Sequence, residues 1–390
     1  MHLVIAVETT VKGGVIEMTR RLLEGLPSFV SKVTLICIGP PGSAENLLLN
    51  ANFADKVKIA EHSFYSNPRV SFIQRIMAFL LEYPFVNRLR SNRFHSFLRQ
   101  LEPDLFVIVN GGFPGSPAIL ALADASRLLG VRYCLWVHSL FSEHSFFRWS
   151  KSKAYLRSLM RHAETMVVPS NAVSDSFPKW LLMDDTKLRV AENFTRMNFE
   201  TQIRESQTPF HVVCPAAYFP NKGQEVLLRA AASLRDAGVN FRVSFYGDGD
   251  ASELKRLRKI SRNLRLSVQV TFAGFAPKEE VFSTASLIVL PSVSQEAYGL
   301  TLIEAMSLGI PVLASRVGGI PELFRPSESR ALFSPGNSSE LAEKIWNLVN
   351  NPELLRIESQ RMRALFTERH HKASATENLL IALGLGHAPY

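Results

Sequence analysis

The chain has 390 residues, about two to three times the length of a typical domain, so its length predicts two domains. Hydrophobic residues make up 46% of the sequence and charged residues 20%, which excludes a disordered chain and a coiled coil. Lysine and arginine number 44 against 35 aspartate and glutamate residues, so the formal net charge is +9. This surplus favours an anionic partner: a phosphate-bearing ligand, an anionic lipid surface or a nucleic acid.

Cysteine usage and apolar runs indicate the cellular setting. Cys37, Cys134 and Cys214 lie far apart inside apolar runs, which argues against a disulfide scaffold and against a zinc site. The first ten residues form too short an apolar run for a signal peptide, and residues 76–81 are too few to span a bilayer. We expect a cytoplasmic protein, either soluble or peripherally attached to the inner face of a membrane.

Apolar runs alternate with amphipathic segments along the first half of the chain. A strand is predicted at residues 3–7, followed by Gly13, Gly14 and a helix. Further strands and helices are predicted in chain order at residues 33–38, 105–109, 117–129 (helix), 133–137, 166–168 and 171–182 (helix). Continuous apolar strands between helices indicate a parallel sheet that is covered on both faces.

The same alternation begins again after the polar residues 200–208. Strands are predicted at residues 211–214, 241–246, 269–272, 287–290 and 312–314. The fold class that follows is α/β, with two doubly wound Rossmann-like domains that face a central cleft. Ligands of such domains bind near the carboxyl ends of the strands.

Two segments of the first half, residues 69–99 and 146–161, are rich in both basic and aromatic residues. This composition suits an anionic membrane surface, to which basic side chains are attracted. The alternative is a pair of amphipathic helices with solvated basic faces. Binding to anionic liposomes at low salt distinguishes the two.

Residues 291–324 combine groups that suit a nucleotide sugar. A strand is predicted to end at residue 290, and a helix to begin near Gly299, so its free backbone N–H groups can bind an anion. Glu296 precedes this helix and Glu304 lies on it, and a carboxylate can accept two hydrogen bonds from paired sugar hydroxyls. The alternative is a chance pair of glutamates, one of which serves the helix dipole.

The pattern resembles the signature of the family 4 retaining glycosyltransferases, which have the GT-B fold. Glu296 and Glu304 stand eight positions apart, with Tyr298, Gly299 and Leu300 between them. Further matches lie at residues 309–311, 318–322, 270–277, 245–249, Lys222-Gly223, Gly13-Gly14, His138 and 168–170. The resemblance implies an acceptor-side domain over residues 1–198, a nucleotide-sugar domain over 199–365, and a terminal helix over 366–390 that crosses back to the first domain.

The resemblance implies three catalytic residues. Lys222 would neutralise the diphosphate as it leaves, when its charge develops most. Glu296 would contact the donor sugar ring, and His138 would touch that sugar from the other wall of the cleft. The alternatives are a solvated surface lysine and a histidine at the end of a strand.

The resemblance also implies the groups that bind the donor. Glu304 would hold the ribose hydroxyls, and the backbone amides of Gly299, Leu300 and Thr301 would hold the phosphates. Gly274 and Phe275 would meet the base through backbone groups, and Gly14 would close on the phosphates, although it could serve only the turn. Two further members of the family pattern complete the predicted set: Gly247 and Tyr298.

The sequence departs from the family pattern at Ala217, where the family commonly has an arginine. Loss of a charge-assisted phosphate contact weakens binding by roughly 10- to 100-fold. Either another basic group substitutes, or the donor differs, or the protein is a weak or inactive relative. Asp248 and Asp250 form a D-x-D pattern that would hold a divalent ion in other glycosyltransferases, but they lie in the matched turn. We expect no metal and no cofactor.

The expected function is transfer of a sugar, with retention, from a nucleotide-diphosphate sugar to a glycan or lipid-linked hydroxyl acceptor. The glycine pattern of nicotinamide enzymes, the serine elbow of hydrolases and the known nucleic-acid-binding modules are not present, so we expect no nucleic-acid partner. Two alternatives stay open: a glycosyltransferase-like binding or scaffold protein, motivated by Ala217, and a nucleotide-sugar epimerase on the same fold. Product analysis separates them.

Overall fold

The chain forms two compact units. The computed structural model describes residues 1–8, 13–39, 57–62, 94–113, 117–141, 153–181, 185–195, 209–294, 296–370 and 372–386. The first unit combines Met1–Asn193 with Ala373–Tyr390, and the second unit is Phe194–Lys372.

The first unit is built from strands that alternate with helices. Its strands are β1 His2–Glu8, β2 Lys32–Ile38, β3 Val57–His62, β4 Leu105–Asn110, β5 Tyr133–Val137, β6 Met166–Val168 and β7 Leu188–Val190. Its helices in the first part of the chain are α1 Gly14–Glu24, α2 at residues 94–101, α3 Pro117–Leu129, α4 Lys153–His162 and α5 Asn171–Ser176.

The strands of the first unit pair in parallel in the order β3-β2-β1-β4-β5-β6-β7. The central strands β1, β4 and β5 are almost fully buried, and they are apolar except for His2 and Glu8 at the ends of β1 and Asn110 at the end of β4. This is expected of strands that are covered on both faces. The strand order reverses between β1 and β4. Gly14, the first residue of α1 after β1, therefore follows a strand at a topological switch point.

The second unit repeats this architecture with fewer strands. Its strands are β8 Phe210–Pro215, β9 Phe241–Tyr246, β10 Val270–Gly274, β11 Leu287–Leu290, β12 Val312–Ser315 and β13 Leu332–Phe333. Its helices are α6 Gln224–Asp236, α7 Ala251–Asn263, α8 Lys278–Ser283, α9 Leu300–Ser307, α10 Ser338–Asn350 and α11 Pro352–Leu365.

These strands also pair in parallel, in the order β10-β9-β8-β11-β12-β13. The core lies between the sheet and helices such as α6, whose Leu227, Ala231 and Leu234 are buried at helical spacing. The strand order reverses between β8 and β11, so the loops that follow these two strands meet at the switch point. The predicted pair of parallel α/β units is confirmed.

The structure corrects several predicted elements. The helix predicted at residues 171–182 ends at Ser176, because Phe177 is extended and precedes Pro178, which disfavours a helical conformation. Three further strands, β3, β7 and β13, are not among the elements predicted from the sequence. Strand β3 mixes charged with apolar residues and lies at a sheet edge, while β7 and β13 have only three and two residues.

The C-terminal segment contains two elements rather than one. A π-helical turn, Phe366–His370, is followed by helix α12, Lys372–Ala382. Thr165 donates a hydrogen bond to the Ala382 carbonyl at 3.0 Å, and the Cys134 thiol to the Leu383 carbonyl at 3.5 Å. Ala382 and Leu383 are thus hydrogen-bonded to β5 and to the residue before β6.

The basic, aromatic segments predicted to bind a membrane are described only in part. Residues 69–93 and 146–152 lie outside the described residues, and the parts that remain are helical, in α2 and α4. Helix α4 buries Leu156, Leu159 and Met160. None of the described helices is long and apolar enough to cross a membrane.

Candidate functional site

The loops that follow β8 and β11 bring Lys222 and Glu296 together. The Lys222 ammonium donates a hydrogen bond to Glu296 Oε2 at 2.8 Å, and the Ser292 hydroxyl donates to the same oxygen at 3.0 Å. Both charged side chains are mostly buried, and Ser292 is fully buried. The ion pair lies at the switch point of the sheet, and charge-assisted bonds of this kind are shorter and stronger than neutral ones.

Two glycines allow the backbone to pack closely around Glu296. A Cβ atom at Gly318 would overlap the Glu296 carbonyl oxygen, which accepts a hydrogen bond from Gly319 N at 2.9 Å. A Cβ atom at Gly223 would overlap the carbonyl oxygen of Pro291. Both glycines have positive φ, +52° and +65°, which other residues rarely adopt. The loop after β11 is therefore packed closely at Pro291, where it begins, and at Glu296.

Helix α9 presents an uncapped N-terminus at the same edge of the sheet. Gly299 precedes it with φ 93°, no side chain caps its first amides, and no acidic residue lies in its first turn. The N–H groups of Leu300 and Thr301 thus begin a helix whose positive end carries no counter-charge of its own. This arrangement suits an anion such as a phosphate.

Glu304 is buried on helix α9 and paired with a lysine that the sequence reasoning did not single out. The Lys278 ammonium donates a hydrogen bond to Glu304 Oε1 at 2.6 Å. The Glu304 side chain is 5% exposed and the Lys278 side chain is 40% exposed. Each glutamate of the predicted pair therefore has a lysine partner: Lys222 for Glu296 and Lys278 for Glu304.

The loops after β9 and β10 lie side by side. Gly247 N donates to the Gly274 carbonyl at 2.8 Å, and a Cβ atom at Gly247 would overlap the Ala216 carbonyl oxygen. Gly274 has φ 76°, and a Cβ atom at this position would meet no other atom within 4 Å. Glycine is therefore favoured here by the backbone conformation and not by a lack of space. Phe275 follows it and is 65% exposed, which leaves its backbone groups and ring accessible to a planar base.

The structure places the Tyr298 side chain in the interior. Its hydroxyl is hydrogen-bonded to His370 Nδ1 at 3.3 Å, and His370 Nε2 donates to the Leu323 carbonyl at 3.4 Å. Burial lowers the pKa of His370 to about 4, which agrees with a neutral ring that accepts at Nδ1. A donor could therefore contact the backbone of Tyr298, whereas its ring serves the core.

Two predicted site residues belong to the first unit, where both follow strands of the sheet. Gly14 is exposed at the start of α1, after β1. His138 follows β5, and its ring packs against Trp136 with centroids 4.5 Å apart. Both ring nitrogens of His138 are buried without a hydrogen-bond partner among the described residues, and burial lowers its pKa to about 3. A neutral imidazole with free nitrogens suits a sugar hydroxyl.

The D-x-D pattern serves local structure. The Asp250 carboxylate caps α7 by accepting hydrogen bonds from the N–H groups of Ser252 and Glu253, and Asp248 accepts from Gly249 N. The residues that the structure describes contain no cluster of three or more His, Cys, Asp or Glu that could hold a metal ion.

The loop at Ala217 is held by its backbone. The Gln224 side-chain amide donates to the Ala217 carbonyl at 2.9 Å and to the Ala216 carbonyl at 3.3 Å. The side chain of Ala217 is half-exposed. The nearby cation of this loop is Lys222.

The structure thus gathers most of the predicted residues at one edge of the second sheet: Lys222, Gly247, Gly274, Phe275, Glu296, Gly299, Leu300, Thr301 and Glu304. Ser292 and Lys278 join this site. A signal for Lys278 was present in the sequence, because a lysine just after Pro277 begins a helix, where the dipole disfavours a cation. The same reasoning applies to Lys222, which stands just before helix α6.

Two family models match the chain in succession. The model described as Glycosyltransferase Family 4 matches residues 12–198, and the model described as Glycosyl transferases group 1 matches residues 196–364.

Two curated relatives match over shorter stretches. WcaL of Escherichia coli, named as a candidate colanic acid biosynthesis glycosyltransferase, is 30% identical over 165 residues, which are 40% of this chain and 40% of WcaL. The sulfoquinovosyl transferase SQD2 of Arabidopsis thaliana is 26% identical over 309 residues, which are 74% of this chain and 58% of SQD2. The chain therefore spans about half the length of these relatives.

Among solved structures, Anabaena HepE in complex with UDP is similar to the chain with a TM-score of 0.73 and 19% identity. The match covers 98% of this chain and 100% of HepE, a protein that has also been solved with UDP-glucose. At this identity the likeness concerns the fold, which is that of the GT-B glycosyltransferases. With both family models matched in succession, the chain belongs to the family 4 glycosyltransferases.

Proposed function

We propose that the protein is a retaining glycosyltransferase that moves a sugar from a nucleotide-diphosphate sugar to a hydroxyl acceptor. One observation carries the proposal: two glutamate–lysine pairs, whose carboxylates are mostly buried, flank the uncapped start of helix α9. Anion-binding amides beside carboxylates that accept hydroxyl groups form a site for phosphates and sugars together. Family membership and the UDP complexes of HepE support a nucleotide-sugar donor.

Binding of the donor uses the groups at this edge of the second sheet. The backbone amides at Gly299, Leu300 and Thr301 hold the phosphates, and Glu304 accepts hydrogen bonds from the ribose hydroxyls. Phe275 and the backbone of Gly274 meet the base. These groups already have their positions before the donor binds, so binding costs little conformational entropy.

Lys222 and Glu296 act on the reacting part of the donor. When the bond from the anomeric carbon to the phosphate breaks, negative charge grows on the diphosphate, and the Lys222 ammonium stabilises it. Glu296, held by Lys222 and Ser292, orients a hydroxyl of the donor sugar. His138, neutral at pH 7, can exchange a hydrogen bond with a sugar hydroxyl.

Retention follows if the acceptor hydroxyl attacks from the face that the phosphate leaves. The departing phosphate oxygen takes the acceptor proton, so this step needs no general base from the protein. Preorganised charge and positioning then supply most of the rate. Metal independence belongs to the proposal and is supported by Asp250, whose carboxylate is engaged in capping α7.

For the acceptor, we propose a glycan or lipid-linked hydroxyl at a membrane surface. The names of two relatives, one for colanic acid biosynthesis and one for a sulfoquinovosyl transferase, support this class. The surplus of positive charge on the chain agrees with an anionic surface nearby.

The test is calorimetric titration with UDP-, GDP- and ADP-sugars, with and without chelator, followed by product analysis. We expect one nucleotide class to bind without metal, to lose affinity in Glu304→Ala, and to yield a glycoside that keeps the anomeric configuration of the donor. Donor binding without transfer favours the scaffold alternative, and release of an isomerised sugar favours the epimerase. Chelator-sensitive activity contradicts metal independence.

A further inference from the structure

Lys278 holds a position that its local structure makes costly. It is the first residue of α8, where the positive end of the helix dipole disfavours an ammonium group. Pro277 precedes it with φ −57°, and Gly274 turns the chain just before with φ 76°. This short connection leads directly from the end of β10 to the lysine.

The ion pair with Glu304 offsets that cost. The distance from Lys278 Nζ to Glu304 Oε1 is 2.6 Å, and the carboxylate is almost completely buried. A buried carboxylate without a cation loses its charge or turns towards another partner. The lysine therefore holds this carboxylate in one orientation.

The acceptor capacity of a carboxylate matters for this role. An ionised carboxylate has about four acceptor positions on its two oxygens, and Lys278 donates to Oε1. A pair of neighbouring hydroxyls requires an acceptor position on each of the two oxygens. An orientation fixed by the lysine lets both hydroxyls bind without rearrangement.

We propose that Lys278 is a positioning residue that holds Glu304 for the two ribose hydroxyls of the nucleotide donor; this inference rests on the proposed function. Lys278 and Lys222 then have different tasks, although each pairs with one glutamate. Lys222 acts on the leaving diphosphate, whereas Lys278 acts through Glu304 on the ribose. A merely structural ion pair between α8 and α9 would affect every nucleotide alike.

Titration calorimetry with ribose and 2′-deoxyribose nucleotides separates these roles. The probes are UDP, GDP and ADP and their 2′-deoxy counterparts, titrated into the full chain and its variants. Lys278→Met should weaken binding of the preferred ribonucleotide about tenfold, and binding of its 2′-deoxy form at most about twofold, because one charge-assisted contact acts only through the hydroxyl pair. Lys278→Arg, which keeps the charge, should stay within about threefold of the wild type.

Two further variants serve as controls. Lys255→Met removes an exposed lysine of α7 that makes no ion pair with a described residue, and it should leave both affinities unchanged. In a Glu304→Ala background, Lys278→Met should cause no additional loss, as a double-mutant cycle requires if the lysine acts through the glutamate.

Equal weakening of both sugar forms, or no weakening of either, overturns the inference and leaves the proposed function in place. Failure of the wild-type chain to bind any of the three ribonucleotides overturns the proposed function and this inference with it. Thermal unfolding of Lys278→Met, compared with the wild type, shows whether the variant is folded.

Discussion

At the residue scale, the two glutamates of the site differ in their surroundings. Glu304 is buried on a helix and held by Lys278, while Glu296 lies in a loop and is held by Lys222 and Ser292. The lysine that holds Glu296 also faces the leaving group of the proposed reaction. The two carboxylates should therefore contribute to different steps.

Replacement of each glutamate by alanine tests this difference. Glu304→Ala should raise the dissociation constant of the nucleotide by roughly 10- to 100-fold, because charge-assisted hydrogen bonds to the ribose are lost. Glu296→Ala should lower kcat more than it weakens binding. Glu279→Ala, on the exposed side of α8, is the matched control. Equal and negligible effects of the two site variants, measured by calorimetry and turnover, would contradict the assignment.

Ala217 offers a gain-of-function test. Its side chain is half-exposed, so an arginine there can extend towards the solvent-facing edge of the sheet. Ala217→Arg should tighten binding of the nucleoside diphosphate by about tenfold, the value of one charge-assisted phosphate contact. Ala217→Gln adds a long side chain without charge and should give no such gain. If the two variants bind alike, the diphosphate does not lie near this position.

At the scale of elements, close backbone packing positions the catalytic loop. Glu296 is held where the loop after β12 touches the loop after β11, and this approach exists because Gly318 lacks a side chain. The ends of parallel strands thus meet through their backbones as well as through their side chains.

Gly318→Ala should disturb this packing. The new Cβ atom would overlap the Glu296 carbonyl, so we expect a loss of about 1–3 kcal/mol in stability together with weaker nucleotide binding. Gly336→Ala is a matched control, since Gly336 has φ +77° but open space around it. Gly336→Ala therefore has the energetic cost of the strained backbone conformation without any steric overlap. Equal unfolding midpoints and affinities for the two variants would show that the close approach does not matter.

Buried histidines make the stability of the units depend on pH. Burial lowers the pKa of His211 and His370 to about 4 and that of His138 to about 3. Between these values and about 6.5 the unfolded chain binds more protons than the folded chain, so stability falls as the pH drops below about 6.5. The expected loss is about 2 kcal/mol per histidine between pH 6.5 and 5. Unfolding midpoints that do not change from pH 7 to 5 would refute this.

Much of the fold could be predicted because the central strands are buried on both faces and therefore read as continuous apolar runs. Strand β3 escaped prediction because it is an edge strand with charged residues. The pairing of Glu304 with Lys278 spans 26 residues and depends on how two loops meet. Spacing along the chain does not show such contacts. The family pattern indicated Lys222 as a site residue, but its contact with Glu296 is visible only in the structure.

At the scale of the whole molecule, positive charge exceeds negative charge by nine. The basic, aromatic segments at residues 69–99 and 146–161 concentrate part of this surplus, although most of the first lies outside the described residues. Basic side chains near an anionic bilayer contribute about 1 kcal/mol each, and salt screens this attraction. Membrane attachment is therefore a property to be measured on the full chain.

Flotation with liposomes is the measurement. We expect binding to vesicles that contain phosphatidylglycerol at low salt, little binding to neutral vesicles, and release by salt. Neutralisation of three arginines in the first segment should weaken binding at least about tenfold: Arg88, Arg90 and Arg93. Neutralisation of three exposed arginines in the second unit is the control: Arg258, Arg262 and Arg265. Equal loss in both sets would show an effect of net charge alone.

The contacts of residues 382 and 383 with the first unit affect the order in which the two units can fold during translation. Leu383 and Ala382 contact Cys134 and Thr165, so the first unit is completed by residues that are translated after the whole of the second unit. The second unit, continuous in sequence, can fold as soon as it emerges. In nascent chains the second unit can therefore be complete before the first, which lacks these contacts until residues 382 and 383 have emerged.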